Sequence, residues 1–148
     1  IDAAMKQIYE KGWMHNRLRM VVGSFLVKNL LLNWIEGERY FQETLLDYDE
    51  ASNAAGWQWI AGCGADAAPY FRVFNPVLQS ERFDPKAEFI LEYIPQLKSL
   101  KKPALIFQPY LDESSLLSLV KQGQYFNPIV DLKDSRNRAL EAYQRIKN

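Results

Sequence analysis

The stretch D-Y-D-E-A-S-N-A-A-G-W-Q-W, Asp47 to Trp59, sets Asp47, Asp49, Asn53, Trp57 and Trp59 within thirteen residues. Glu50 to Trp59 predicts a short helix. Asp49 stands at its N-cap, where a carboxylate accepts backbone N–H groups of the first turn. Asn53 and Trp57 are four apart and share a helix face. A helix N-terminus, an amide and a flat aromatic on one side suit a planar, hydrogen-bonding, electron-rich ring. A capped surface helix with two core tryptophans satisfies the same pattern, so the segment alone leaves both readings open.

Upstream, Asp2 is expected to cap a helix over Ala3 to Lys11, which Gly12 ends. From Gly12 to Trp34, apolar residues recur at helical spacing (Leu18, Val21, Val22, Phe25, Leu26, Leu32), with Asn29 as a polar break on that face. This predicts a long, deeply buried helix. At 100° per residue, Asn16, Arg17 and Met20 fall within an arc of about 100° on another face. Gly23 and Ser24 continue that face with small residues, and Arg19 lies beside it. A third helix is expected over Glu36 to Leu46, with Tyr40, Phe41 and Leu45 as its apolar side.

Downstream, Ile60 to Pro76 reads as a Gly- and Pro-rich loop. Strand propensity at Tyr70 to Phe74 is pinned between Pro69 and Pro76 and has no partner. Pro85 to Tyr93 predicts a helix with proline in its first turn. Pro95 to Pro109 reads as irregular, Asp112 to Lys121 as a helix, and Gln122 to Pro128 as a connector. Lys133 to Lys147 predicts a polar terminal helix with Leu140, Tyr143 and Ile146 as a thin apolar stripe. The sum is an all-α domain with long ordered loops.

Composition narrows the function. A chain of 148 residues predicts one domain with a sizeable core. Lys plus Arg and Asp plus Glu balance at 18 each, so any nucleic-acid contact must come from a local patch. Cys63 is the single cysteine and His15 the single histidine, so neither an internal disulfide nor a metal set is expected. Cys63 has no activating partner in view and no glycine-rich phosphate loop occurs. Most ordinary enzyme chemistry is thereby set aside, but not chemistry carried by a cofactor. No membrane span or signal peptide is read, and a reducing, cytoplasmic setting is expected. The chain opens at Ile1 directly into a helical pattern, which suggests a piece of something longer.

Several motifs together are not generic. W-M-H-N-R-L-R-M (Trp13 to Met20) leads to L-L-N-W (Leu31 to Trp34) and G-E-R-Y-F (Gly37 to Phe41). The quoted Asp47 to Trp59 stretch follows, then D-A-A-P-Y-F-R-V-F-N-P (Asp66 to Pro76). In this order they resemble the photolyase/cryptochrome family, and specifically the last part of the helical FAD-binding domain of photolyases for cyclobutane pyrimidine dimers. The match runs from about Gly12 to Leu97. Pro128 to Tyr143 resembles the family's terminal helix, and Leu97 to Asn127 matches weakly.

The resemblance implies an all-α, multi-helical FAD-binding domain, C-terminal portion, spanning residues 1–148. It implies a site in which Trp13, Asn16, Arg19, Asp47, Tyr48, Asp49, Asn53 and Trp57 border FAD. Arg19 would pair with Asp47 over the flavin, and Asn53 would face flavin N5. Trp57 and Trp34 would begin the electron chain that photoreduces the flavin. Asn16, Arg17, Leu18, Arg19, Met20 and Trp59 would receive the flipped dimer, with Arg72 on a DNA phosphate. The active cofactor would be reduced FADH−, whose excitation sends one electron to the dimer. An antenna chromophore of folate or deazaflavin type is expected in an N-terminal domain absent here. The expected partner is UV-damaged DNA, without metal or membrane, and the protein is expected to be a monomer. Asn53 favours repair enzymes over cryptochrome photoreceptors, and Met20 favours cyclobutane dimers over (6-4) photoproducts. Cryptochrome signalling, (6-4) repair and a flavin-free helical module are the competing readings. The fragment alone is expected to bind FAD poorly and not to repair DNA.

Overall fold

The computed structural model describes residues 1–147, and among them there is no strand. The chain divides into two compact units where length predicted a single domain. The first comprises Ile1, Ala3–Phe74 and the chain from Val130 onward. The second is Asn75–Ile129 together with Asp2.

The first unit carries five α-helices: α1 (Asp2–Lys11), α2 (Asn16–Ser24), α3 (Trp34–Thr44), α4 (Glu50–Ala61) and the terminal helix α9 (Leu132–Lys147). Asp2 does not cap α1. The helix begins one residue earlier, with Ile1 at the cap position and the Met5 N–H bonded to the Ile1 carbonyl. Asp2 therefore lies in the first turn, where its charge complements the helix dipole. Gly12 ends α1 as expected, at φ 62°. A Cβ there would also meet Leu46 Cγ at 2.8 Å.

The long helix expected from Gly12 to Trp34 is interrupted twice. His15 caps α2 through its ring nitrogen, which accepts the Arg17 N–H at 3.2 Å. From Phe25 to Asn29 the chain then widens into a π-helical turn, with the Leu30 N–H bonded to the Phe25 carbonyl. Such a turn shifts the helical register by inserting a residue. Here it accompanies the burial of Lys28 and Asn29, each 1 % exposed. Leu31, at φ 54°, ends the run and Asn33 caps α3. Helix α3 accordingly starts at Trp34 and stops at Thr44, two residues ahead of the expected Glu36–Leu46 at each end.

The core of this unit gathers Ile8, Val22, Phe41, Trp57 and Ile60 from four helices, with Met14 from the connection between α1 and α2. Helix α9 is too polar to dock on apolar contacts alone and is held partly by hydrogen bonds. Asn29 donates to Ser135 Oγ at 2.9 Å, Arg138 donates to the Asn29 carbonyl at 2.7 Å, and the Tyr143 hydroxyl donates to the Ala61 carbonyl at 2.8 Å.

The second unit is built of short pieces: α5 (Pro76–Phe83), α6 (Glu88–Tyr93), a 3₁₀ turn (Pro95–Leu100), α7 (Pro103–Phe107), a 3₁₀ turn (Pro109–Leu111) and α8 (Glu113–Lys121). Helix α5 was not expected; Pro76 opens it and Asn75 caps it, accepting from Val77 and Leu78. Pro85 lies outside the helix it was expected to open. Its neighbour Asp84 reaches across the turn to accept from the Phe89 and Ile90 N–H groups. The irregular stretch Pro95 to Pro109 is a chain of short helical turns, while Asp112 to Lys121 is helical as read, with Asp112 as cap.

Candidate functional site: a cavity walled by α2, α3 and α4

Helix α4 organises the site. Asp49 caps it as expected, accepting the Ser52 N–H at 2.8 Å, and hydrogen bonds from Ser52 hold the Asp49 carboxyl below the usual carboxylate range. The helix continues two residues past Trp59 to Ala61 and ends on Gly62 at φ 78°.

One face of α4 borders a cavity of about 510 Å³. Asn16, Arg19 and Met20 of α2 line it. Asp47, Tyr48, Asp49, Asn53, Trp57 and Trp59 line it from the quoted stretch. The structure thus brings nine of the expected site residues together. Trp13, Arg17, Leu18, Trp34 and Arg72 are not among the lining residues. Trp13 is 44 % exposed and packs edge-on against His15. Trp34 borders a second, mainly apolar cavity with Tyr70 and Tyr143. Arg72 lies over the Trp59 ring at 6.0 Å.

The expected Arg19–Asp47 pair is formed. Arg19 Nη2 donates to both carboxylate oxygens, at 2.8 and 2.9 Å, and its Nε donates to the Met14 carbonyl at 2.6 Å. The two side chains are 25 % and 48 % exposed, so the pair adds at most about 1 kcal/mol to stability. Its consequence is positional: the guanidinium stands at the rim of the cavity with its orientation set.

Asn53 is oriented by a residue that sequence reasoning passed over. Its amide nitrogen donates to the Glu38 carbonyl and to Glu38 Oε1, both at 3.0 Å. Both partners are acceptors, so the nitrogen must face Glu38, and the amide oxygen remains as the group available to a donor in the cavity. The Glu38 carboxylate also faces Tyr48. Partial burial first, then Glu38, Glu50 and Asp49, push the Tyr48 phenol up. Glu38 was readable only as one of several charges on α3; its partner lies fifteen residues away, and no local spacing signals that.

Trp57 is 4 % exposed and its ring meets Phe41 edge-on at 5.0 Å. It lies so close to Gly37 that a Cβ there would stand 2.1 Å from the indole. Its indole N–H is buried without an acceptor among the described residues. Gly56, one residue earlier, lines the same cavity, and a Cβ there would meet no protein atom within 4 Å. A mid-helix glycine costs about 1 kcal/mol against alanine. Packing inside the protein does not explain it; the missing side chain leaves this face of α4 open on the cavity.

Fold and cavity define a class: an all-helical domain whose cavity is walled by an oriented amide, an ion pair and two tryptophans. The chain belongs to the family described as the FAD binding domain of DNA photolyase, which matches residues 1–145. The deoxyribodipyrimidine photo-lyase of Agrobacterium fabrum is 47 % identical over 152 residues, covering 99 % of this chain and 31 % of that protein. Among solved structures, a bacterial class III photolyase from Agrobacterium tumefaciens superposes with a TM-score of 0.87 at 46 % identity, over 98 % of this chain and 30 % of that one. A cryptochrome from Synechocystis sp. PCC6803 superposes with a TM-score of 0.83 at 35 % identity, over 94 % and 29 %. The chain spans about a third of the length of these relatives.

Proposed function

We propose that this chain is the C-terminal portion of the flavin domain of a photolyase that repairs cyclobutane pyrimidine dimers in UV-damaged DNA. The observation that carries the reading is the single cavity shared by Arg19, Asp47, Asn53, Trp57 and Trp59, which come from two separate motifs. The open face at Gly56 and the free amide oxygen of Asn53 fit a planar, hydrogen-bonding cofactor. Reduced FAD, when bound, would supply the electron that blue light drives into the dimer.

The chain's own residues do the rest. Arg19 offers positive charge to an anionic ring, and its pairing with Asp47 prevents it from wandering into solvent. Asn53 accepts a ring N–H without adding charge, because Glu38 keeps its nitrogen turned away. Trp57 and Trp34 relay electrons towards the cavity. Trp59, with Arg72 over it, offers a stacking surface to an extruded base, while Asn16, Arg17 and Met20 present a mixed polar and apolar edge to the lesion. No general base or nucleophile is required.

The likeness to a cryptochrome supports a second reading, a blue-light photoreceptor using the same flavin site. Illumination of the full-length, flavin-loaded protein with an oligonucleotide carrying one cyclobutane dimer separates the two. Restoration of the two pyrimidines under blue light, and not in the dark, is expected. Flavin photochemistry without restoration supports the photoreceptor instead.

A further inference from the structure

Lys28 has no place in the function above, yet its environment is unusual. It is 1 % exposed, and neither ion pair among the described residues includes it. Burial of an ammonium without a carboxylate is unfavourable. Burial first, and the Arg72 guanidinium second, pull its pKa down from 10.5 to about 8. A leucine or methionine would fill the same space without that penalty.

What the ammonium holds is backbone. Nζ donates to the Arg72 carbonyl at 2.7 Å and, more weakly, to the Tyr70 carbonyl at 3.5 Å, with the Tyr143 ring 5.6 Å away. Residues 63–75 form neither helix nor strand, so their backbone has no ladder to fix it. Two further bonds tie the same loop. The Phe74 N–H donates to Ser24 Oγ at 3.1 Å, and the Ala68 N–H to the Trp59 carbonyl at 2.9 Å. Ser24 and Lys28, four residues apart across the start of the π-helical turn, thus grip the loop from inside. On its outer side the Arg72 guanidinium lies over Trp59.

We propose that Lys28 is a positioning residue for the DNA-facing wall: by holding the carbonyls of Tyr70 and Arg72 it places the Arg72 guanidinium over Trp59, and so sets the surface that receives the damaged base pair. This assignment rests on the role of Trp59 and Arg72 given above.

The test is a double-mutant cycle in the full-length, flavin-loaded protein. Affinity is measured for an oligonucleotide carrying a single cyclobutane dimer. Arg72→Ala is expected to weaken binding by roughly threefold or more. Lys28→Met should weaken it by a similar factor, and the double variant should bind no worse than Arg72→Ala alone. Lys28→Gln, which keeps an N–H donor, should recover part of the loss. Flavin photoreduction should be unchanged in both Lys28 variants. Additive losses, Lys28→Met binding like wild type while Arg72→Ala does not, or loss of photoreduction in both variants would each overturn the proposal. Amide hydrogen exchange at Ala68, Arg72 and Phe74, read without DNA, should quicken in Lys28→Met, or in Lys28→Gln should the methionine variant not fold. Unchanged exchange overturns the clamp. If exchange quickens but Arg72→Ala leaves lesion binding unaltered, the clamp stands as a structural fact, and both the reading of the wall and the positioning role built on it fall.

Discussion

Trp57 and Trp59 stand two residues apart on one helix and meet different surroundings. Trp57 is buried against Phe41 and Gly37, while Trp59 is half-buried under Arg72. Two distinct losses follow. Trp57→Phe should slow photoreduction of the flavin severalfold while leaving repair by enzyme reduced beforehand intact; transient absorption and a repair assay on dithionite-reduced protein check the split. Trp59→Ala should weaken binding to dimer-containing DNA by roughly 1–3 kcal/mol, because a stacking face is lost. Affinity measured with damaged and undamaged strands checks it, and an equal loss for both would place Trp59 outside the lesion pocket. Asn53 shows the limit of reading residues singly. Its type was legible in the quoted stretch, but the direction of its amide is decided by Glu38, fifteen positions away.

At the scale of the element, α4 was legible because its signals are local. The capping aspartate acts within the first turn, and Asn53 and Trp57 share a face at helical spacing, while the helix's end at Gly62, two residues past the expected Trp59, was not read. Asp49→Ala should cost about 1 kcal/mol through loss of the cap, read as a lower midpoint in denaturant unfolding. Helix α3 carries a constraint of another kind. Gly37 is a helical residue whose missing Cβ makes room for the Trp57 ring. Gly37→Ala raises helix propensity, yet overpacking of about 1–3 kcal/mol outweighs that gain of up to about 1 kcal/mol. The variant should therefore unfold earlier and photoreduce flavin more slowly, since the indole has to move. A variant more stable than wild type would show that the ring yields freely. The π-helical turn after α2 was not legible. Apolar residues keep recurring through it, and the burial of Lys28 and Asn29 depends on partners in the 70–72 loop and in α9.

At the scale of the molecule, Lys28 links packing to pH. Its pKa is about 8 in the fold, against an ordinary 10.5. Between those values the unfolded chain holds the proton that the folded chain has released, so stability from this group rises with pH across that window. Below pH 8 both states are charged and the burial penalty is felt in full. Relative to Lys28→Met, the wild-type protein should gain up to about 3 kcal/mol between pH 7 and 10.5, with other titrations cancelling in the difference. Parallel stability curves for the two proteins would show that the ammonium is better solvated than its burial suggests.

The sequence by itself determined the helical class, the helices α4 and α8, the Asp49 cap of α4 and the resemblance to a family, which in turn implied most of the residues of the cavity wall. The helices and the cap depend on residue type and short spacing, which act through local hydrogen bonding and helical periodicity, whereas the wall was implied by whole motifs in a family's order. Only the tertiary structure decided which way Asn53 turns, why Gly37 must lack a side chain, where the long helix breaks, and that a buried lysine grips the loop beneath Arg72. Each of these is a contact between residues distant in the chain, where burial makes an unpaired polar group or a misplaced methyl costly, and no periodicity along the sequence reports such a cost.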